Sequence, residues 1–335
     1  MIFFVGSYTR LGGPGVARCR LADGHIAIER TDPLPDSLYV LLNRAHTRLY
    51  AASMAPAGGG AGGSVAAYDV TGDRLARLCH RDALGAEPCH LCLDPEERFL
   101  YAANYASGSV SAFPVLADGT LGPCLQHIRH QGRGVHSRQE QAHVHQVLFM
   151  SGTRMLCAVD LGLDRIILYR QAADGCLTHV DEVRLPDGCG PRHLLFGPGD
   201  MAYLTCELSC QLAVLRREGD MLRLTAMLPT LPGGVAEGAT AAALRLSPDG
   251  RRLMVSNRGE DAFAVYDLNA EGMPTLARML PATDRFPRDF VMVGDGALLA
   301  AYQKGRLALL RVTGAGLETA AQVDLLGSVC VCPME

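Results

Sequence analysis

The side chains best suited to chemistry in this 335-residue chain recur at one kind of place, the border between a short apolar run and a polar turn. Near the start of such runs stand His143 and His145 in AHVHQ, Arg192 and His193 in GPRHL, and Arg288 and Asp289 in FPRDF. Directly after such runs come Asn104 with Tyr105, Asp160, Glu207, Asn257 with Arg258, and Gln303 with Lys304. Imidazole, carboxylate and several cations, once gathered, suit an anionic substrate: guanidiniums hold a carbonyl or carboxylate while His or Glu moves a proton. Ionisable groups of different types are costly to bury for structure alone. His145, Arg192, Glu207 and Arg258 are therefore the candidate catalytic set, with His143, Asn104, Arg288 and Lys304 as candidate substrate contacts.

A repeat must position them. The pattern is a short apolar run, a turn of the D-P or P-D-G kind, a second run rich in Leu, Tyr and Ala, another turn, and alternating residues ending near Tyr or Phe. Copies start at Ser37, Pro88, Ala142, Gly190, Ala239 and Phe286. Their starts lie about 47 to 55 residues apart, the range of propeller blades and not of helical solenoids. Each copy reads as three short strands plus a looser fourth, and no sustained helical stripe is present, so helices should be rare. The six copies span roughly Ser37 to Val312. The N-terminal IFFVGSYT, GVARCRL and HIAIERT supply three more strands, and the C-terminal GSVCVCP supplies the missing first one. The expectation is an all-β, seven-bladed propeller in one domain over residues 1–335, its last blade closed by both termini. A six-bladed ring would leave GSVCVCP without a partner. In a propeller the first strand of each blade lines the channel, so equivalent strand ends converge on one mouth.

Other readings of these residues compete. Asp164, Asp261 and Arg288, taken singly, read as ion pairs bracing neighbouring blades. His193 follows Arg192 on an alternating strand and should point away as a packed core group. His127, His130, His136, His143 and His145 match neither H-E-x-x-H nor a Cys/His zinc pattern, and His136 lies in GRGVHSRQEQ, which reads as solvated. His143 and His145, two apart, should share a side; a metal pair there is not favoured. Cys89-x-x-Cys92 lacks a second pair and reads as core. The 12 cysteines are scattered, many within apolar runs, which suggests free buried thiols. With 31 Lys+Arg against 35 Asp+Glu the chain carries a net charge of -4, which removes the electrostatic case for nucleic acid or an anionic membrane. MIFFVGSYTR is too short for a signal peptide, and no run approaches the ~18 apolar residues of a transmembrane helix, so the expected location is cytoplasmic. A non-catalytic propeller that docks proteins would need aromatic mouth loops, yet Trp is absent and aromatics make up 6% of the chain. A closed ring is self-sufficient, so the expectation is a monomer.

Several motifs together resemble one family. GSYT, LDPEERFLYAANYASGSVSAF, the RQ-x-x-AHVHQ segment, DLGLDRI, GPRHLLF followed by an EL dipeptide, and LSPDGRRLMVSNRG look like the propeller-type 6-phosphogluconolactonase (lactonase) family across nearly the whole chain. Fungal carboxy-cis,cis-muconate cyclase belongs to the same family. The resemblance implies hydrolysis of 6-phospho-D-glucono-1,5-lactone to 6-phosphogluconate, in the pentose phosphate pathway, with no metal or organic cofactor. It places the family's His, two Arg and Glu on His145, Arg192, Arg258 and Glu207, with either Glu207 or His145 activating water. It offers Arg288 and Lys304 for the phosphate. Another anionic lactone, or a carboxymuconate-type substrate, would suit the same groups. Two departures, the short turn of FVMVGDG and a Gly58–Gly63 insertion, touch none of the four residues.

Overall fold

Apolar–polar alternation in each copy becomes a four-stranded antiparallel sheet, and seven such sheets form the ring in the computed structural model, which describes residues 1–58, 62–293 and 296–334. Half of the expected Gly58–Gly63 insertion (Gly59, Gly60 and Ala61) and two residues of FVMVGDG (Gly294 and Asp295) lie outside the described residues. Innermost strands run over Ser37–Leu42, Pro88–Leu93, Val144–Phe149, Pro191–Phe196, Thr240–Leu246, Pro287–Val293 and Ser328–Met334, in blades 1 to 7. Among the described residues the one helical element is a 3₁₀ turn at Thr9–Leu11.

Burial follows radial position. Second strands such as Met155–Asp160 and Met201–Cys206 are buried at every position because blades cover both faces. Fourth strands such as Leu177–Arg184 are mostly exposed, which explains their looser pattern. Apolar clusters lie between consecutive blades; Phe3 and Val331 pack against blade 6, while Phe4 and Cys330 pack against blade 1. Cysteines fill these layers as free thiols, among them Cys19, Cys157, Cys206 and Cys330, all buried.

Ring closure is as expected. Ser328–Met334 pairs antiparallel with Ile2–Ser7, which in turn pairs with Val16–Ala22 and then His25–Asp32. The last strand thus removes an open edge from blade 7.

One irregularity repeats around the ring. Every innermost strand slips register against its neighbour near its start, between Ser37 and Tyr39, Pro88 and His90, Val144 and Gln146, Pro191 and His193, Ala241 and Leu244, and Pro287 and Asp289. In blade 7 the slip skips Val329, between Ser328 and Cys330. A β-bulge leaves one residue unpaired and re-aims its side chain. The residues so released include Leu38, Cys89, His145, Arg192 and Arg288.

A chain ending before Ser328 should lose the closing strand, expose Ile2–Ser7 as an edge, and melt roughly 10 °C lower, with aggregates in size-exclusion chromatography. Unchanged melting would show that closure carries little stability.

Candidate active site

Two sets of equivalent positions meet at one mouth of the channel. The first is the bulged residues. The second is the residue at the outgoing end of the second strand: Tyr8, Met54, Tyr105 and Glu207 directly after it in blades 7, 1, 2 and 4, and Arg258 as its last residue in blade 5. Members of both sets line one open pocket, namely Leu38, Cys89, His145 and Arg288 from the first and those five from the second. Arg10, Glu87 and Arg138 join from loops. Arginines thus outnumber the two carboxylates, Glu87 and Glu207, and the pocket favours an anion.

Glu207 is the hub. One carboxylate oxygen, Oε2, lies 2.9 Å from Arg258 Nη2 and 2.9 Å from Arg192 Nε; the other, Oε1, accepts from Arg138 Nη2 at 2.7 Å. The Arg192 contact is electrostatic, since its Nε–H is not aligned for a hydrogen bond. Glu207, at the pocket surface, and Arg192, behind it, are both buried, at 3% exposure each. Burial pushes the Glu207 carboxyl up, but Arg258, Arg192 and Arg138 together outweigh it and hold the group well below the usual carboxylate range. Burial and then Arg258 press the Arg192 guanidinium down to about 9, which leaves it charged at neutral pH.

His145 is the group left open. Its side chain makes no hydrogen bond among the described residues, and Nδ1 is buried without a partner. Burial first, and Arg192 second, push its pKa well below the ordinary imidazole value, so the ring is neutral. Tyr105 meets it edge-on with ring centroids 5.7 Å apart, and His193 does the same at 5.3 Å. A neutral imidazole beside ordered cations is able to accept a proton from water.

Of the eight residues expected from the sequence, His145, Glu207, Arg258 and Arg288 line the pocket, and Arg192 sits directly behind Glu207. Three lie elsewhere. Asn104 is the last residue of its strand, one before Tyr105, and its amide is spent on Ser109 and Ser111. Lys304 is one residue beyond Gln303, the position equivalent to Glu207; it is exposed, with Nζ 4.4 Å from the Phe286 ring centre. His143 precedes the bulge, stacks on Tyr105 at 4.5 Å, and bonds the Tyr105 carbonyl through Nδ1 and Glu140 through Nε2. The two histidines therefore differ: one packs behind the wall and the other lines it.

Several structural readings need correction. His193 does not point away from Arg192, because the bulge breaks the alternation; it is buried beside the Arg192 guanidinium, with its ring next to His145 and His90. Arg288 forms no ion pair among the described residues; its Nη1 donates to Gln303 at 3.3 Å. Asp164 and Asp261 brace loops by accepting backbone N–H groups, from Gly188 and Gly190 and from Gly259 and Phe286 respectively, and not from cations. The GRGVHSRQEQ loop is only partly solvated, for it delivers Arg138 to Glu207. The sequence analysis passed over Arg138, Tyr8 and Glu87, although Arg138 stands in the RQ pair that precedes AHVHQ and Tyr8 in GSYT. Among the described residues no three His, Cys, Asp or Glu side chains converge as a metal site.

The chain is similar to known proteins along nearly its whole length. The family model described as lactonase, 7-bladed beta-propeller, matches residues 2–324. A Bacillus subtilis protein named 6-phosphogluconolactonase is 33% identical over 319 residues, 92% of this chain and 90% of its own. The solved structure of a Pseudomonas aeruginosa periplasmic gluconolactonase superimposes with a TM-score of 0.89 at 30% identity, covering 98% of both chains. A Lactobacillus plantarum protein gives a TM-score of 0.90 at 27% identity over the whole of both chains.

His90, His145 and His193 form a buried cluster, and each is pushed down chiefly by burial, His90 to about 3. Their unfolded counterparts titrate near 6.5, so on acidification the unfolded chain takes up protons first. Their contribution is whole above about pH 6.5 and is lost as pH falls toward the depressed folded values, at up to ~1.4 kcal/mol per pH unit for each ring. Urea unfolding from pH 7.5 to 5 should show stability falling from about pH 6.5, with a shallower slope in His90→Gln. A flat profile down to the carboxylate range would contradict the neutral cluster.

Proposed function

The chain belongs to the seven-bladed β-propeller lactonase family, and on that premise we propose that it hydrolyses 6-phospho-D-glucono-1,5-lactone to 6-phosphogluconate. The observation that carries the reading is the pairing of a carboxylate pinned by Arg138, Arg192 and Arg258 with an unbonded, neutral His145 in a cationic pocket. The proposal extends to a monomer acting in the cytoplasm, in the pentose phosphate pathway, with the chemistry carried by side chains and no metal.

The steps follow from which groups are free. Arg258 and Arg288 face the pocket and polarise the lactone carbonyl. A water attacks C1 while His145 takes its proton, and the oxyanion of the tetrahedral adduct forms against the guanidiniums. The adduct then collapses, the bond from C1 to the ring oxygen breaks, and His145 returns the proton to that oxygen. Glu207 is poorly suited as the base, because three arginines stabilise its ionised form. Its task is to hold Arg192 and Arg258 in place and to offset their mutual repulsion. δ-Lactones hydrolyse readily by themselves, so one base and one oxyanion site suffice.

A second reading has its own support: the Pseudomonas aeruginosa neighbour at 30% identity is named a gluconolactonase and is periplasmic, which points to the unphosphorylated sugar lactone and to a different compartment.

The test is the rate of lactone loss above the spontaneous rate, on freshly generated 6-phosphogluconolactone and on D-glucono-1,5-lactone, with and without EDTA. The expected outcome is EDTA-insensitive acceleration that favours the phosphorylated lactone. His145→Ala should lower kcat by ~10²–10⁴, and Arg258→Ala by ~10²–10³. If His145→Ala retained the full rate, the base assignment would fail; acceleration confined to the unphosphorylated lactone would favour the second reading.

A further inference from the structure

The three arginines share Glu207 unequally. Oε2 faces Arg192 and Arg258, both buried, with side-chain exposures of 3% and 6%. Oε1 is held by Arg138 alone, at 2.7 Å, and the Arg138 side chain is 44% exposed. One oxygen of the hub is thus controlled by a single cation that stands half in water.

The backbone beneath that cation is fixed. Gln139 is fully buried; its Nε2 donates to the Leu161 carbonyl at 2.8 Å and to Asp164 Oδ1 at 2.7 Å, and its Oε1 accepts from the His136 N–H at 3.0 Å. A long side chain on a fixed base changes partner by rotamer alone, on a timescale far shorter than turnover. Among the described residues Arg138 is the one partner of Glu207 whose head reaches water, so it is re-solvated as it moves, and Arg192 and Arg258 stay on Glu207 when it leaves for a stronger acceptor. Its remaining side-chain contact is the Tyr105 hydroxyl at 3.2 Å.

Of the neighbouring cations, Arg288 has no ion pair among the described residues and is assigned to the lactone carbonyl above, while the other two are tied down. Arg10 is paired with Asp36 at 2.9 Å, and Arg258 is bound to Glu207 and to the Ala241 carbonyl. A phosphate monoester carries close to two negative charges and suits the fork of a guanidinium better than a single shared carboxylate oxygen does.

We propose that Arg138 is a substrate-sensing specificity residue: the phosphate of the bound lactone draws its guanidinium from Glu207 Oε1, and the freed oxygen then holds the attacking water beside His145. The exchange is one ion pair for another, with no covalent step. It rests on the phospholactonase reading above. An unphosphorylated lactone leaves Arg138 on Glu207 and the water poorly held, so discrimination appears in kcat as well as in KM.

The experiment measures kcat and KM on 6-phosphogluconolactone and D-glucono-1,5-lactone for the wild type, Arg138→Ala and Arg138→Lys, and repeats the second substrate with added sodium phosphite. The wild type should prefer the phosphorylated lactone, and phosphite should speed its hydrolysis of the other one by ~10-fold. Arg138→Ala should lose ~100-fold in kcat/KM on the phosphorylated lactone, the scale of one charge-assisted hydrogen bond. The same variant should turn over the unphosphorylated lactone faster than the wild type and ignore phosphite, while Arg138→Lys should keep part of the preference. Equal losses on both lactones, or phosphite activation that survives in Arg138→Ala, would overturn the assignment while leaving the lactonase reading in place. A wild type inactive on both lactones would overturn that reading and this proposal with it.

Discussion

Guanidiniums buried side by side are tolerable only when a carboxylate is delivered between them. Removing that carboxylate would leave the guanidiniums of Arg192 and Arg258 buried and uncompensated, a penalty of about 3–5 kcal/mol. Glu207 imposes that condition on the whole ring. Arg138 arrives from the loop between blades 2 and 3, Arg192 and Glu207 itself from blade 4, and Arg258 from blade 5. Segments separated by more than a hundred residues must therefore hold a common frame to within hydrogen-bond tolerance. The sealed ring provides it: Ser328–Met334 pairs with Ile2–Ser7, and apolar layers lock each blade to the next.

The bulges translate that frame into chemistry. A regular strand would send His145 and Arg192 into the sheet alternation, with one face against the neighbouring blade. A register slip at the start of each innermost strand releases one residue toward the channel mouth. Because the slip recurs in every blade, the pocket wall is set residue by residue: Leu38 and Cys89 on one side, and His145 and Arg288 on the other, with Arg192 behind Glu207. The apolar side limits hydration, and the cationic side holds charge. Low local dielectric then strengthens each interaction of Glu207 and keeps His145 neutral.

How much of this was legible in the sequence divides along the same line. Blade count, strand order and closure by both termini follow from periodicity and from the unmatched GSVCVCP, since strand pairing depends on pattern over many residues. Arg192, Glu207, Arg258 and His145 were also legible, because ionisable groups at the borders of apolar runs are conspicuous. Asn104 and Lys304 were misplaced by one residue each, since in a strand one step exchanges faces and only the observed register fixes which residue turns inward. His193 failed for a related reason, as no composition signal marks a bulge. Arg138 was hidden because its loop reads as solvated; what tethers it is the burial of Gln139, a tertiary fact.

The most direct measurement is a crystal structure with 6-phosphogluconate bound. The account predicts its carboxylate against Arg258 and Arg288 within reach of His145, its phosphate on Arg138, and Glu207 Oε1 released from that arginine. Product bound away from the channel mouth, or at the mouth with the Arg138–Glu207 pair intact and the phosphate elsewhere, would contradict it.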